Sequence, residues 1–303
     1  VDSARLGTVV LGSAPVAACF RLRGALRVLA YHGVPDPDAF GHHVHHLARH
    51  FTPVAAAEVV AALAGRRSLP RRAVWVTFDD GVPDVVEHGL PALDAYGVPA
   101  TLFLCASVID TNEPFWWQTV AAAVAAGLDG GGALGTAPLA SSLKRVPDAQ
   151  RRAVVARLRE QLADLGQPVS ARQITSAQLE RWVGAGHTVG NHTLDHPCLD
   201  QCDEAEQRRQ IEQADESLAR YMGDLRLFAY PNGNWSAGAE RVLRDLRYDA
   251  ALLFDHRLAD VRANRYRLSR LRIDSDADPA RMRAIVSGAH STLFSLARRR
   301  GGR

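Results

Sequence analysis

Short apolar runs that end in polar or turn residues recur along the chain, at Leu26 to Tyr31, Val74 to Phe78, Ala100 to Leu104, His187 to Asn191, Leu227 to Tyr230, Ala250 to Phe254 and Tyr266 to Ile273. Their length and flanking turn residues predict buried strands. Most are separated by stretches of helical periodicity, and that alternation predicts an α/β fold in which about seven parallel strands are joined by crossover helices, open or closed into a barrel. Helix starts are marked by caps at Thr175 with Gln178, Asp203 with Glu206, Ser236 before Ala237, and Asp278 before Pro279. Between Asp110 and Gln173 the pattern turns helix-rich, with Pro114-Phe-Trp-Trp117, a helical Thr119 to Ala126, a Gly-rich stretch from Gly127 to Gly135 and an amphipathic run from Asp148 to Leu165. This segment reads as a helical insertion at about 110–173 between two strands of a single domain spanning 1–303.

Composition narrows the partners. The net charge is only +3 over 303 residues, and Lys144 is the sole lysine among 36 basic residues. The arginines alternate with Asp and Glu along helices instead of forming a basic stripe, which argues against a nucleic-acid partner. The tail Arg298-Arg-Arg300-Gly-Gly-Arg303 reads as a solvated end, with contact to anionic lipid or polymer as the alternative. No run approaches the roughly 20 apolar residues of a membrane span, so no transmembrane segment is expected and peripheral membrane association stays open. Val16-Ala-Ala-Cys19 has the small-residue character of a lipoprotein cleavage site, but Gly12 and Pro15 interrupt the apolar stretch before it. A short packing helix ahead of the first strand and a bacterial cytoplasmic setting are preferred, with export or lipid anchoring as the alternative. The four cysteines form no CxxC pair; Cys198 and Cys202 read as unpaired loop thiols before a second metal site.

Three clusters carry chemistry. Thr77-Phe-Asp79-Asp80-Gly81 places two adjacent carboxylates just past a buried strand, where they repel unless a cation, an arginine or a proton compensates them. A turn cap closed by Gly81 is the competing reading. The second cluster, His192-Thr-Leu-Asp-His196-Pro197, also follows a strand; Pro197 disfavours helix at His196, so both imidazoles can converge from a loop. Two His and one carboxylate suit a divalent metal with positions open to water and substrate. His42, His43, His45 and His46 lie on a predicted helix and read as a surface face. Phe228-Ala-Tyr230-Pro-Asn-Gly233 follows a third strand, in a turn that can aim a backbone N–H as an oxyanion donor must be aimed. Trp116, Trp117 and Trp235 are candidates for stacking on a sugar ring or for ordinary core.

Taken together and in this order, the clusters resemble the motifs of the polysaccharide deacetylase family (carbohydrate esterase family 4, NodB homology): T-F-D-D-G at Thr77 to Gly81, H-[ST]-x-x-H at His192 to His196, and aromatic-Pro-x-Gly at Phe228 to Gly233. The similarity runs over about Arg27 to Ile273, with the helical insertion outside it. The resemblance implies a distorted (β/α) barrel, a metal held by Asp80, His192 and His196, Asp79 as general base, and the Asn232 N–H as an oxyanion donor. The metal is expected to be Zn, with Co, Ni or Fe as alternatives.

The C-terminal segment offers only Gly288-Ala-His290 for the L-x-H acid motif of many relatives. Leu29-Ala-Tyr31-His32 is instead similar to the N-terminal Y-H of circularly permuted members that act on poly-N-acetylglucosamine, which makes His32 the expected general acid. Leu268-Ser-Arg270 resembles their L-P-R segment, so Arg270 is expected to tether Asp79 or an acidic partner of His32. Asp255 is the nearest candidate for that partner. The implied activity is hydrolysis of N-acetyl groups on amino-sugar residues of a glycan or its precursor. Deacylation of a lipid-linked sugar, an O-acetyl ester or a small amide, and a non-catalytic glycan-binding role, are the alternatives.

Overall fold

Alternation along the strands decides which side chains enter the barrel. In the strand Ala73–Phe78, Val74, Val76 and Phe78 pack outward against helices in one apolar cluster, whereas Trp75 belongs to a separate cluster with Val28, Phe103, Leu227, Ala229, Ala250 and Leu252 inside the sheet's curve. Thr77 and Asp79 share the inward parity of Trp75, so the strand delivers Asp79 to the interior at its C-terminal end.

The computed structural model describes residues 25–128 and 138–291. The strands are β1 (Arg27–Tyr31), β2 (Thr52–Pro53), β3 (Ala73–Phe78), β4 (Ala100–Leu104), β5 (Thr188–Asn191), β6 (Leu227–Ala229), β7 (Ala250–Leu252) and β8 (Leu271–Arg272). They pair in the order β7-β6-β5-β4-β3-β1-β8, every pairing parallel, with β2 added beside the start of β3. Leu268 bridges to Leu252 of β7 while Leu271 and Arg272 pair with β1, so one segment touches both ends of the path and the sheet curls into a distorted barrel. The predicted strand at Tyr266 to Ile273 is therefore broken. Its middle, Ser269 and Arg270, turns its polar groups toward Asp255 and Asp79.

Between the strands lie α1 (Pro37–His50), α2 (Ala56–Leu63), α3 (Leu90–Tyr96), α4 (Trp116–Ala125), α5 (Leu139–Leu143), α6 (Asp148–Asp164), α7 (Ser176–Gly184), α8 (Glu204–Leu218), α9 (Ala237–Asp245) and, after β8, α10 (Pro279–Ser287). The four caps read from sequence are present: Thr175 accepts from Gln178 N, Asp203 from Glu206 N, Ser236 from Ala239 N, and Asp278 from Ala280 N and Arg281 N. Helices α4, α5 and α6, between β4 and β5, share their own apolar cluster of Trp116, Val120, Leu143, Val155, Leu158 and Leu162.

One histidine departs from its expected place. His43 is buried, its Nε2 2.7 Å from the Ala277 carbonyl, because it falls on the α1 stripe of Phe40, Val44 and Leu47; His42 and His45 are exposed as expected. No helix among the described residues is long and apolar enough to cross a membrane. The lipoprotein-like Val16 to Cys19, the packing helix ahead of β1, most of the Gly-rich stretch and the arginine tail lie outside the described residues.

Candidate metal centre and active site

Because all strands run parallel, their C-terminal ends share one rim of the barrel, and that rim collects the residues singled out from sequence. After β3 the chain turns through two consecutive left-handed residues, Asp80 at φ 72° and Gly81 at φ 89°. A Cβ on Gly81 would lie 2.6 Å from Leu104 Cδ2 in addition to the strained φ, so glycine is required there. The turn sends the two carboxylates different ways: Asp79 into the barrel, Asp80 across the rim toward the loop after β5.

That loop is built to converge. Asn191 Oδ1 accepts from Thr193 N, and Thr193 Oγ1 accepts from His196 N, so the hydroxyl of the threonine closes a turn in which His196 sits at φ 58°. Both imidazoles are buried with ring centroids 4.9 Å apart. His192 Nδ1 donates to the Ala229 carbonyl at 2.7 Å, which leaves Nε2 as a lone-pair donor.

The Nε2 atoms of His192 and His196 each lie 3.4 Å from Asp80 Oδ1. Asp80 Oδ1 is buried with no hydrogen-bond partner, an expensive state for a carboxylate oxygen unless a cation meets it. Two donors held at about 2.1 Å from one tetrahedral ion stand about 3.4 Å apart, which is the separation seen here. Among the described residues this trio is the one cluster of His, Cys, Asp and Glu able to hold a metal ion. Cys198 and Cys202 do not form a second site; burial raises both thiols, that of Cys198 to about 11.

Electrostatics supports the same fit. Burial pushes Asp79 up, but the Arg270 guanidinium outweighs it, helped by His192 and His32, and holds the carboxyl below its ordinary range. Asp80 is likewise lowered: burial raises it, and His192, His196 and His32 overcome that. Burial drives His196 down to about 3, so its imidazole stays neutral and free to ligate. His192 is pushed down by burial and more strongly up by Asp79 and Asp80. Two ionised carboxylates beside one arginine favour further positive charge at the rim, which raises His192 and which a divalent cation would supply.

Arg270 is fully buried and faces Asp79 with a bidentate pair of 2.6 and 2.7 Å; its Nη1 also reaches Thr77 Oγ1, and its Nε donates to the Leu253 carbonyl. Asp255, considered as an acidic partner for His32, instead accepts from Ser269 Oγ and from Arg270 N, and so braces the arginine's own segment. His32 follows β1 and stands exposed at the mouth, edge-on to the Phe254 ring at 5.2 Å and near enough for its charge to act on Asp79, Asp80 and His196. His290 is engaged elsewhere, Nδ1 2.7 Å from His256 Nε2.

Beyond β6, Asn232 and Gly233 adopt φ 56° and 76°. The turn's hydrogen bonds are made by Gly233 N to Tyr230 O and Asn234 N to Pro231 O, with the Asn232 side chain reaching Cys198 Sγ. Three aromatic positions resolve differently. Trp116 is buried, Trp235 is covered by the Arg267 guanidinium at 3.8 Å, and half-buried Trp117 lies edge-on to His196 at 4.5 Å while stacking on Phe115. Two neighbours of the site were not foreseen from sequence: Phe254, which touches both His32 and the Arg270 guanidinium, and Asp84, whose carboxylate packs against Gly33 with a buried, unpartnered Oδ1.

Comparison with known proteins bears on the family and the fold. A sequence-family model described as polysaccharide deacetylase matches residues 66–133 and 141–251, more than half of the chain. The match runs through most of the helical segment at 110–173 that was expected to fall outside the resemblance. Among solved structures the chain is similar to the Streptococcus pyogenes deacetylase PplD, with TM-score 0.60 and 17% identity over 85% of this chain and 96% of that one. It is similar also to IcaB from Ammonifex degensii, with TM-score 0.60 and 19% identity over 87% and 97% of the two chains. For the BpsB deacetylase domain from Bordetella bronchiseptica the values are TM-score 0.55 and 16% identity over 83% and 96%. At such identities these structures bear on the fold alone.

Proposed function

The chain belongs to the polysaccharide deacetylase family, and from that premise we propose that it is a metal-dependent hydrolase that removes N-acetyl groups from amino-sugar residues of a glycan or glycan precursor. The observation that carries the reading is the unpaired, buried Asp80 Oδ1 set 3.4 Å from two imidazole Nε2 atoms, beside a second carboxylate that an arginine keeps ionised.

Asp80, His192 and His196 hold the ion, with Zn the favoured occupant and Co, Ni or Fe suited to the same donors. When bound, a divalent cation supplies Lewis acidity, polarising a carbonyl oxygen and acidifying water. Asp79 accepts the proton of the attacking water. Its lowered pKa makes it a weak base but keeps it in the ionised form the step needs at neutral pH. Arg270 fixes the carboxylate's plane through its two parallel bonds and prevents burial from protonating it.

The Asn232 N–H, presented by a left-handed residue in the turn after β6, donates to the oxygen on which negative charge develops. His32, exposed at the mouth, gives a proton to the nitrogen as the carbon–nitrogen bond breaks. Water adds a hydroxyl to the acetyl carbon and a proton to the sugar nitrogen, so the products are acetate and a free amine.

The test is acetate release over polymeric, oligomeric and monomeric N-acetyl amino sugars, a lipid-linked N-acetyl sugar, an O-acetylated glycan and a small acyl amide. Turnover on the N-acetyl glycans supports the reading. Turnover confined to O-acetyl esters or small amides, or none in a protein shown to bind metal, contradicts it.

A further inference from the structure

The two metal-site histidines are held in different ways. His192 has its Nδ1 anchored to the Ala229 carbonyl, whereas His196 Nδ1 is buried with no hydrogen-bond partner. No hydrogen bond at Nδ1 fixes the direction of the His196 ring, and its backbone sits at φ 58°, a conformation that costs energy and persists only where the surroundings impose it. The position of His196 therefore depends on what grips its loop.

Part of that grip comes from the helices between β4 and β5. Trp116 at the start of α4 donates Nε1 to the His196 carbonyl at 3.1 Å, and the Trp117 ring lies edge-on to the imidazole. From α6, Arg152 makes a fork onto the carboxylate of Asp195, the residue just before His196, at 2.8 and 3.1 Å. The same guanidinium bonds Glu206 of α8 at 2.9 Å and Asp148 at 2.5 Å, and Gln210 of α8 donates to Asp195 as well. Arg152 is about 40% exposed, so a single such ion pair would hold little. Three carboxylates on three separate segments give it a fixed direction. Arg151, also bound to Asp148, lies over the Trp116 ring at 5.1 Å and so joins the two grips.

We propose that the helical segment between β4 and β5 is a clamp on the metal loop, with Arg152 and Trp116 as positioning residues that aim His196 at the ion. The clamp rests on the metal-site reading above, and it assigns to this segment a task other than contact with substrate. Partners outside the ligand set that orient a ligand are worth roughly 10- to 100-fold in metal affinity.

The test uses the full chain, stripped of metal and titrated with Zn against a competing chelator, with Co titrated in parallel to read the visible absorption that reports coordination geometry. Arg152→Met and Trp116→Phe each raise the Zn dissociation constant about tenfold or more and weaken the Co absorption, while Arg159→Met on the same helix changes neither. If Arg152→Met does not fold by circular dichroism, Asp195→Asn removes the same charge contact and carries the same expectation. Dissociation constants within twofold of the unaltered protein and an unchanged Co spectrum in the folded variants overturn the clamp. An unaltered protein that binds neither ion contradicts the metal site itself, a separate outcome.

Discussion

Arg270 and Asp79 stand 191 positions apart in the chain and meet through two parallel hydrogen bonds of 2.6 and 2.7 Å, both side chains buried. The pair joins the segment between β7 and β8 to the end of β3, reaching past β1 on the same rim.

Arg270→Gln leaves the Asp79 carboxylate buried without its counter-charge. Burial then dominates and raises a pKa that is lowered in the native protein, so the acid limb of kcat/KM moves to higher pH. In the native protein the lowered pKa contributes stability that is complete above the unfolded carboxylate range and is lost as pH falls through the folded value. Removing one partner of a buried pair costs about 3–5 kcal/mol, measurable by urea unfolding at neutral pH. An acid limb that stays in place or moves to lower pH contradicts the assignment.

Metal removal is expected to abolish activity and lower the melting temperature. An ion free at about a thousand times its dissociation constant adds about 4 kcal/mol to the native state. Asp80→Asn and His192→Ala lose that metal-dependent shift in differential scanning calorimetry, and a shift that survives in both places the ion elsewhere.

His32→Ala separates acid catalysis from metal binding. His32 is exposed and outside the Asp80, His192 and His196 trio, so metal affinity is retained while kcat falls by about 10²- to 10⁴-fold. Full turnover by the variant excludes His32 as the proton donor.

Asn232→Gly keeps both the left-handed backbone and the N–H, and is expected to stay within a few-fold of native kcat. Gly233→Ala would place a Cβ 2.6 Å from the Phe254 nitrogen at φ 76°, displacing the turn and lowering kcat together with stability. Loss of more than a hundredfold in Asn232→Gly assigns the oxyanion contact to the side chain instead.

The strands and caps were legible because they rest on local chemistry. A short run such as Val74 to Phe78, rich in β-branched and aromatic residues and closed by a turn, is a strand signal in itself, and Thr175 with Gln178 closes a capping box within one turn. The candidate metal trio was legible because Asp80 and His192 each follow an apolar strand, with His196 four residues further on the same loop, and strands of one direction end on one rim. His43 could have been found, since Phe40, Val44 and Leu47 mark the buried stripe of α1 and His43 lies on it. The break at Ser269 and Arg270 could not, because it depends on Asp79 and Asp255 arriving from distant segments. The same holds for Phe254 beside His32 and for Arg152 on Asp195, contacts with no periodicity and no fixed spacing.

The proposed enzyme is a metal-dependent N-deacetylase built on Asp80, His192 and His196. Its most direct test measures acetate and free amine released from an N-acetylglucosamine oligomer by the purified chain as isolated, after chelation, and after Zn is returned, with Asp80→Asn alongside. Equal release of acetate and amine, lost on chelation, restored by Zn and absent in the variant, is the expected result. Release that persists after complete metal removal, or unaltered turnover by Asp80→Asn, would contradict it.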